Sequence, residues 1–211
     1  MYDYWFVQFD FPDENGKPYK SSGGAMVWNE QLKREIPKGW EVKLLCDIST
    51  INRGSIITET QTNKGNIKVV AAAVTYSYLH DTANRKANVI TISSSGANAG
   101  YMNFWREPIF ASDCITIQCD SDIDTILTFQ QLELYRGAIM QKSHGSAQPH
   151  VYPTDIDSLK FVCIPEYLKN KISNLFIAWN KQIASNVIEI ENLIKQHNEL
   201  LPLLMNGQVA L

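Results

Sequence analysis

Along the last quarter of the chain, apolar residues return every third or fourth position. Ile172, Phe176, Trp179, Ile183, Val187, Ile190, Ile194, Leu201 and Leu204 form the series, and His197 fills its one gap. That spacing places side chains on one face of an α-helix. No Gly or Pro interrupts the stretch from Glu166 to Leu201, so the pattern predicts one helix over residues 166–205. At 1.5 Å per residue such a helix runs roughly 50 Å or more, beyond the usual three to four turns. Its stripe needs a second long helix, in this chain or in another. Folding back on its own domain would cover only the first few turns.

Upstream the pattern changes period. Ile67–Val74, Asn88–Ser93 and Cys114–Cys119 are β-branched or continuously apolar runs and predict strands. Tyr101–Phe104 predicts a hairpin partner across the turn Ser95–Gly100, and Leu159–Pro165 a last strand stopped by proline. Trp40–Leu45 fits a short helix or a strand. Asp124–Tyr135 has helical spacing at Ile126, Leu127, Gln130 and Leu134. The expected fold is α/β in composition and α+β in order, a mixed-sheet domain followed by one long coiled-coil-like helix. Residues 1–40 have another texture. An aromatic cluster (Tyr2, Tyr4, Trp5, Phe6, Phe9, Phe11) alternates with turn formers around Pro12–Gly16, Ser21–Gly24 and Pro37–Gly39. This predicts an extended strap with aromatic anchors, most simply docked on the chain's own core. The division is then strap 1–40, domain 41–165, helix 166–205 and tail 206–211.

Composition narrows the class. The 211 residues are 45 % hydrophobic and 19 % charged, the balance of an ordinary soluble domain. No apolar run approaches the length of a membrane span, and the N-terminus lacks the basic start of a signal peptide. Cys46, Cys114, Cys119 and Cys163 show no metal-binding spacing and read as reduced thiols, which points to the cytoplasm. A net charge of −3 does not announce a nucleic-acid binder. Residues 41–110 hold the one basic excess, and it is small.

Catalytic and metal motifs are missing: no Gly-rich phosphate loop, no HExxH, no GxSxG. His144 and His150 are too sparse for a metal site. Asp120, Asp122 and Asp124 alternate as in some calcium loops, yet without the loop's Gly and terminal Glu they read as a solvated acidic turn. Ser93–Gly96 reads as a turn whose hydroxyls cap local backbone, although the same groups can donate to phosphates. Two loops, Tyr76–Lys86 and Lys142–His150, combine bases, amides and hydroxyls of the kind that read base edges. They are also the residues of any exposed loop.

Four stretches carry a resemblance. They are Tyr2–Pro12 (YDYWFVQFDFP) with Glu14–Gly24 and Met26–Glu41; Ile90–Gly100 (ITISSSGANAG) with Glu107–Asp113; His144–Val151 (HGSAQPHV) leading into Leu159–Pro165; and Asn198–Val209 (NELLPLLMNGQV). In these the chain resembles the specificity subunit of type I restriction–modification systems, in its C-terminal half. The resemblance implies a non-catalytic protein without cofactor. Residues 41–165 would be one target recognition domain for double-stranded DNA and residues 166–205 one spacer helix. It implies methyltransferase subunits as partners and, through them, restriction subunits. Subunits of this kind carry two recognition domains and two antiparallel helices, so one domain and one helix imply a second copy or another half. A competing reading is an assembly or decoy fragment that binds partners without directing recognition. An enzyme acting through Ser93–Ser95 or His144 is a remote third.

The resemblance transfers no base-reading residues. The polar loops nominate Tyr76, Tyr78, His80, Asn84, Arg85 and Lys86, then Lys142, Ser143, His144 and Gln148. Lys68, Asn98 and Arg106 are expected on phosphates.

Overall fold

A computed structural model describes residues 1–144 and 149–206; the side chains of residues 142–144 fall outside the described set. The protein is α+β, with a domain of small mixed sheets followed by one long helix. The strap residues are more ordered than an extended linker. Asp3–Val7 forms a helical turn, and β1 (Met26–Asn29) and β2 (Arg34–Pro37) form an antiparallel hairpin. β3 (Glu41–Leu44) leads into the single-turn α1 (Leu45–Ile48) and then β4 (Thr50–Arg53).

β5 (Ile67–Val70) ends earlier than the apolar run suggests. Ala71–Val74 leave the sheet, and Ser77 N–H closes the excursion on the Val69 carbonyl at 2.9 Å. The chain then returns as β6 (Tyr78–His80), antiparallel to β5. Tyr78 and His80, expected in a loop, therefore lie in a strand. β7 (Val89–Ser93) and β8 (Met102–Trp105) form the expected hairpin, joined by a turn in which Gly96 and Gly100 take φ of 72° and 85°. A side chain at Gly100 would also press on the backbone of Met140.

β9 (Ile109–Ala111) runs parallel to β5, while β10 (Cys114–Gln118) sits between β4 and β7. β7 is buried along its whole length. It is central to its sheet and covered on both faces, so apolar and hydroxyl residues alternate rather than apolar and charged. The hydroxyls find partners: Trp105 Nε1 donates to Thr91 Oγ1 at 2.8 Å.

α2 (Asp122–His144) is longer than the spacing predicts at both ends. Lys142, Ser143 and His144 belong to its last turn rather than to a loop. After the short α3 (Pro153–Ile156), β11 (Lys160–Cys163) pairs with β3, and Pro165 ends the strand and starts α4 (Glu166–Met205). α4 has 40 residues, about 60 Å at 1.5 Å per residue. None of the helices is long and apolar enough to cross a membrane among the described residues.

Two cores organise this. In one, Ile90, Ile92, Ile115 and Ile117 of the central strands pack on Leu132 and Ile139 of α2 and on Phe161. Each such side chain stabilises the fold by ~1.5–3 kcal/mol. The second joins Tyr2, Phe6, Phe9 and Phe11 to Ile126 and Leu127 of α2 and to Leu168, Ile172 and Phe176 of α4. Trp40 stacks on Phe11 at 5.1 Å and meets Phe9 edge-on at 5.6 Å. The N-terminal aromatics thus glue the first turns of α4 to the domain. The thiols are unpaired, and burial pushes that of Cys114 up to about 12.

Candidate functional site

One end of the domain gathers three irregular segments. Residues 71–77 follow β5, residues 94–98 follow β7, and residues 149–152 precede α3. The last two are joined by a bridge between Ser95 and His150 and by Val151 N–H donating to the Ser94 carbonyl at 2.9 Å. The first is held by Asn98 and Asn103, whose Nδ2 groups donate to the carbonyls of Ala72 at 3.4 Å and Val74 at 2.7 Å. Ser95 Oγ donates to the Asp113 carboxylate. His150 stacks on Tyr152 with ring centres 6.0 Å apart, and the Arg53 guanidinium lies 5.5 Å from the Tyr152 ring. The exposed surface here carries Arg53, His150 and Tyr152, an aromatic and basic rim; Tyr76, at the far end of the first segment, faces α4 instead, its ring 5.5 Å from Lys68 Nζ.

Of the residues nominated from sequence, Tyr76 lines the cleft beside α4 with Lys68 and Glu191, while Asn98 lies in this cluster. The α2 turn carrying Lys142, Ser143 and His144 leads to it, but their side chains, and Gln148 altogether, lie outside the described residues. Arg53 and Tyr152 were not nominated. Their only sequence signal is a polar residue closing Ser49–Gly54 and a tyrosine between two prolines.

A second group serves the fold. Asn84 brackets Ala111, donating to its carbonyl at 2.9 Å and accepting from its N–H at 2.7 Å. Arg85 spends its guanidinium on Thr116 Oγ1 at 2.9 Å and on the carbonyls of Asn84 and Arg53. Lys86 is exposed at the rim of the cleft that Asn52, Arg85 and Gln118 line. His80 is buried, and its Nδ1 accepts from Asn63 N–H at 3.0 Å. Tyr78 donates its hydroxyl to the Ile57 carbonyl.

The third group faces α4. Lys68 is buried with its ammonium 2.6 Å from both Glu107 and Glu191. Burial pulls its pKa down, but the two carboxylates outweigh that and hold it above the ordinary lysine value. Arg106 lies over Phe104 and donates to Asn180 Oδ1 at 2.7 Å, and burial lowers its pKa. Asn180 in turn donates to Asn88 Oδ1 at 2.9 Å. Asn88 has φ 57°, a left-handed conformation that asparagine tolerates. These contacts form a polar clasp between the domain and one flank of α4. Lys169 adds a pair to Asp124 of α2 at 3.0 Å.

The clasp leaves the apolar stripe of α4 open. Ile172 and Phe176 are 1 % and 7 % exposed. From Trp179 onward, at 45 %, every expected stripe residue is exposed: Ile183, Val187, Ile190, Ile194, Leu201 and Leu204. A bare apolar face of this length on a domain otherwise well closed is the mark of an interaction surface.

The comparisons with known proteins agree on one family. The model for the type I restriction modification DNA specificity domain matches residues 37–201. The specificity subunit of the type I restriction enzyme MjaIX of Methanocaldococcus jannaschii is 22 % identical over 230 residues, covering 99 % of this chain and 51 % of the relative. The chain therefore spans about half the length of that curated relative. Among solved structures, the S subunit of a type I restriction–modification system from M. genitalium superposes with a TM-score of 0.60 at 16 % identity, over 76 % of this chain and 44 % of that one. The HsdS subunit of Thermoanaerobacter tengcongensis gives 0.53 at 12 % identity, over 80 % and 42 %. The fold, the long helix and a family match over most of the residues lead to one conclusion: the chain belongs to the type I restriction modification DNA specificity domain family.

Proposed function

We propose that this chain is a non-catalytic DNA-recognition half. It presents one recognition domain to one part of a split target and uses α4 to set that domain's distance from a second one. The observation that carries the reading is the bare stripe of α4 from Trp179 to Leu204, which needs another helix to cover it. A second copy of the chain, or another half, supplies that helix, and methyltransferase subunits, with restriction subunits beyond them, bind the assembly.

Recognition falls to the loop cluster. Arg53, His150 and Tyr152 are exposed there. Asn84 and Arg85 are occupied by backbone and Thr116, and Lys68 and Arg106 by α4, so we assign these four to positioning rather than to DNA. Lys86 remains a candidate phosphate contact. With so many cations spent internally and a net charge of −3, the partner subunits supply much of the phosphate grip. DNA binding by the isolated chain is then weak and strongly salt-dependent; tight site-specific binding at 0.2 M salt would contradict it.

The decisive experiment is methylome sequencing of cells carrying the chain with its methyltransferase subunits. Recognition predicts one methylated motif with split halves, lost or relaxed at one position when Arg53→Ala and Tyr152→Ala are introduced. A bidentate base contact by an arginine is worth ~1–3 kcal/mol. A chain that binds the methyltransferase while leaving no motif methylated is an assembly or decoy fragment, and the recognition reading falls.

A further inference from the structure

The open part of α4 carries a stricter repeat than the stripe alone shows. Trp179, Ile183, Asn186, Ile190, Leu193, His197, Leu200 and Leu204 follow one another in alternating steps of four and three, the repeat of a coiled-coil seam. All eight are exposed. Two of them are polar, Asn186 and His197. In a seam buried against another helix each would need a hydrogen-bond partner or cost the pair stability.

The seam is self-complementary in one antiparallel arrangement. When Ile190 faces Leu193 of a second copy, Ile183 faces Leu200, Trp179 faces Leu204, and Asn186 faces His197. By two-fold symmetry each match occurs twice. Sliding the pair by one heptad either way sets both polar residues against apolar ones or Trp179. A parallel in-register pair would instead stack Asn186 on Asn186 and His197 on His197 and bring both domains to the same end of the pair, where Ile172 and Phe176 are covered by Tyr2, Phe6 and the other N-terminal aromatics. The antiparallel pair keeps the two domains at opposite ends of the bare stretch.

The local chemistry fits as well. Gln182 Nε2 donates to Asn186 Oδ1 at 2.8 Å, which leaves the Asn186 amide as a donor. His197 Nδ1 lies 3.3 Å from Asn198 Oδ1; donating there leaves Nε2 as an acceptor. Along the flanks, Glu189 comes beside Gln196 of the second copy and Val187 beside Ile194, so no like charges meet. At each end, Leu204 and Met205 of the second copy reach the cleft that Tyr2, Ile126, Phe176, Trp179 and Ile183 line. Met205 is 78 % exposed in the single chain.

Taking the antiparallel pairing of two α4 helices as the family resemblance implies it, we propose that its register is set by hydrogen bonds between Asn186 of each copy and His197 of the other. The inference rests on the reading of α4 as a pairing helix and names its partner and register. A polar pair in an apolar seam costs affinity but rejects other registers, which a spacer needs more than tightness.

The test is crosslinking of the full chain in a Cys46→Ser background, since Cys46 is the exposed thiol. Under mild oxidation, Asn186→Cys with His197→Cys gives covalent dimers with 186–197 links in peptide maps. Asn186→Cys alone gives none, because in this register the two copies of residue 186 sit about 16 Å apart along the axis. In ultracentrifugation, Asn186→Leu and His197→Leu each weaken the dimer about tenfold, and the double variant recovers or exceeds the original affinity. A dimer that forms 186–186 links, or none between 186 and 197, overturns the register while leaving self-pairing intact. A chain that stays monomeric at tens of micromolar overturns self-pairing itself; the recognition reading is tested separately by the methylome.

Discussion

The first three turns of α4 and its remaining turns are written in the same pattern but live in different surroundings. Leu168, Ile172 and Phe176 lie in a core with the N-terminal aromatics, whereas Trp179 to Leu204 meet solvent. Nothing in the spacing distinguishes the two. Periodicity reports which face of a helix is apolar; what covers that face is decided by segments far away in the chain. Here the cover is residues 2–11, and it stops where that short segment stops.

The buried end of α4 carries the largest expected effect. Phe176→Ala should cost ~3–5 kcal/mol of unfolding free energy, as large-to-small changes in aromatic cores do, read from denaturant melts. Next is the clasp. Lys68→Met removes the cation shared by Glu107 and Glu191 and should cost about 1–2 kcal/mol, with hydrogen exchange rising over residues 184–191. Because the folded lysine pKa is raised, this contribution is complete below the ordinary lysine pKa. It fades only as pH climbs through the raised value, so acidification to pH 6 should leave the exchange protection factors there, corrected for the intrinsic pH dependence of amide exchange, unchanged.

At the bare end, Ile190→Asp should alter the unfolding of dilute protein by less than ~0.5 kcal/mol, yet abolish the proposed dimer at higher concentration. A large loss of stability in dilute protein would mean the stretch is covered by its own domain after all. The smallest effect concerns the N-terminal cover. Asp10 accepts from the hydroxyl and N–H of Ser21 at 2.6 and 2.7 Å, which lowers its pKa. The contribution is present above the ordinary aspartate pKa and lost as pH falls through the lowered one. Amide exchange near Ser21 should quicken only in strong acid, and Asp10→Asn should blunt that dependence.

Much of the fold was legible because it rests on local signals. β7 and β10 are β-branched runs, β11 is a short apolar run stopped by proline, and α4 is unbroken periodicity from a proline start. What was illegible depends on distant partners. Tyr78 and His80 look like loop residues until β5 pairs with them. Arg85 looks like a base reader until Thr116 and the Arg53 carbonyl occupy it. Lys68 looks like a phosphate contact until Glu191, 123 residues away, closes on it. A sequence reports that a cation is present, not whether it is already spent. The loop cluster was only partly legible for the same reason: Asn98 stands in a polar stretch, but Arg53, His150 and Tyr152 join it only through the fold.

The clasp has a mechanical consequence. α4 is a lever of about 60 Å, and Lys68, Glu107, Glu191, Arg106, Asn180 and Asn88 fasten the domain to its flank. The arm of α4 beyond Glu191 is about 20 Å long, so a tilt of about 10° there would swing its end by about 4 Å, roughly one base-pair step at 3.4 Å. On the proposed reading, the tolerance in target spacing is therefore set by six side chains that never touch DNA, and loosening them should blur a distance before it blurs a sequence.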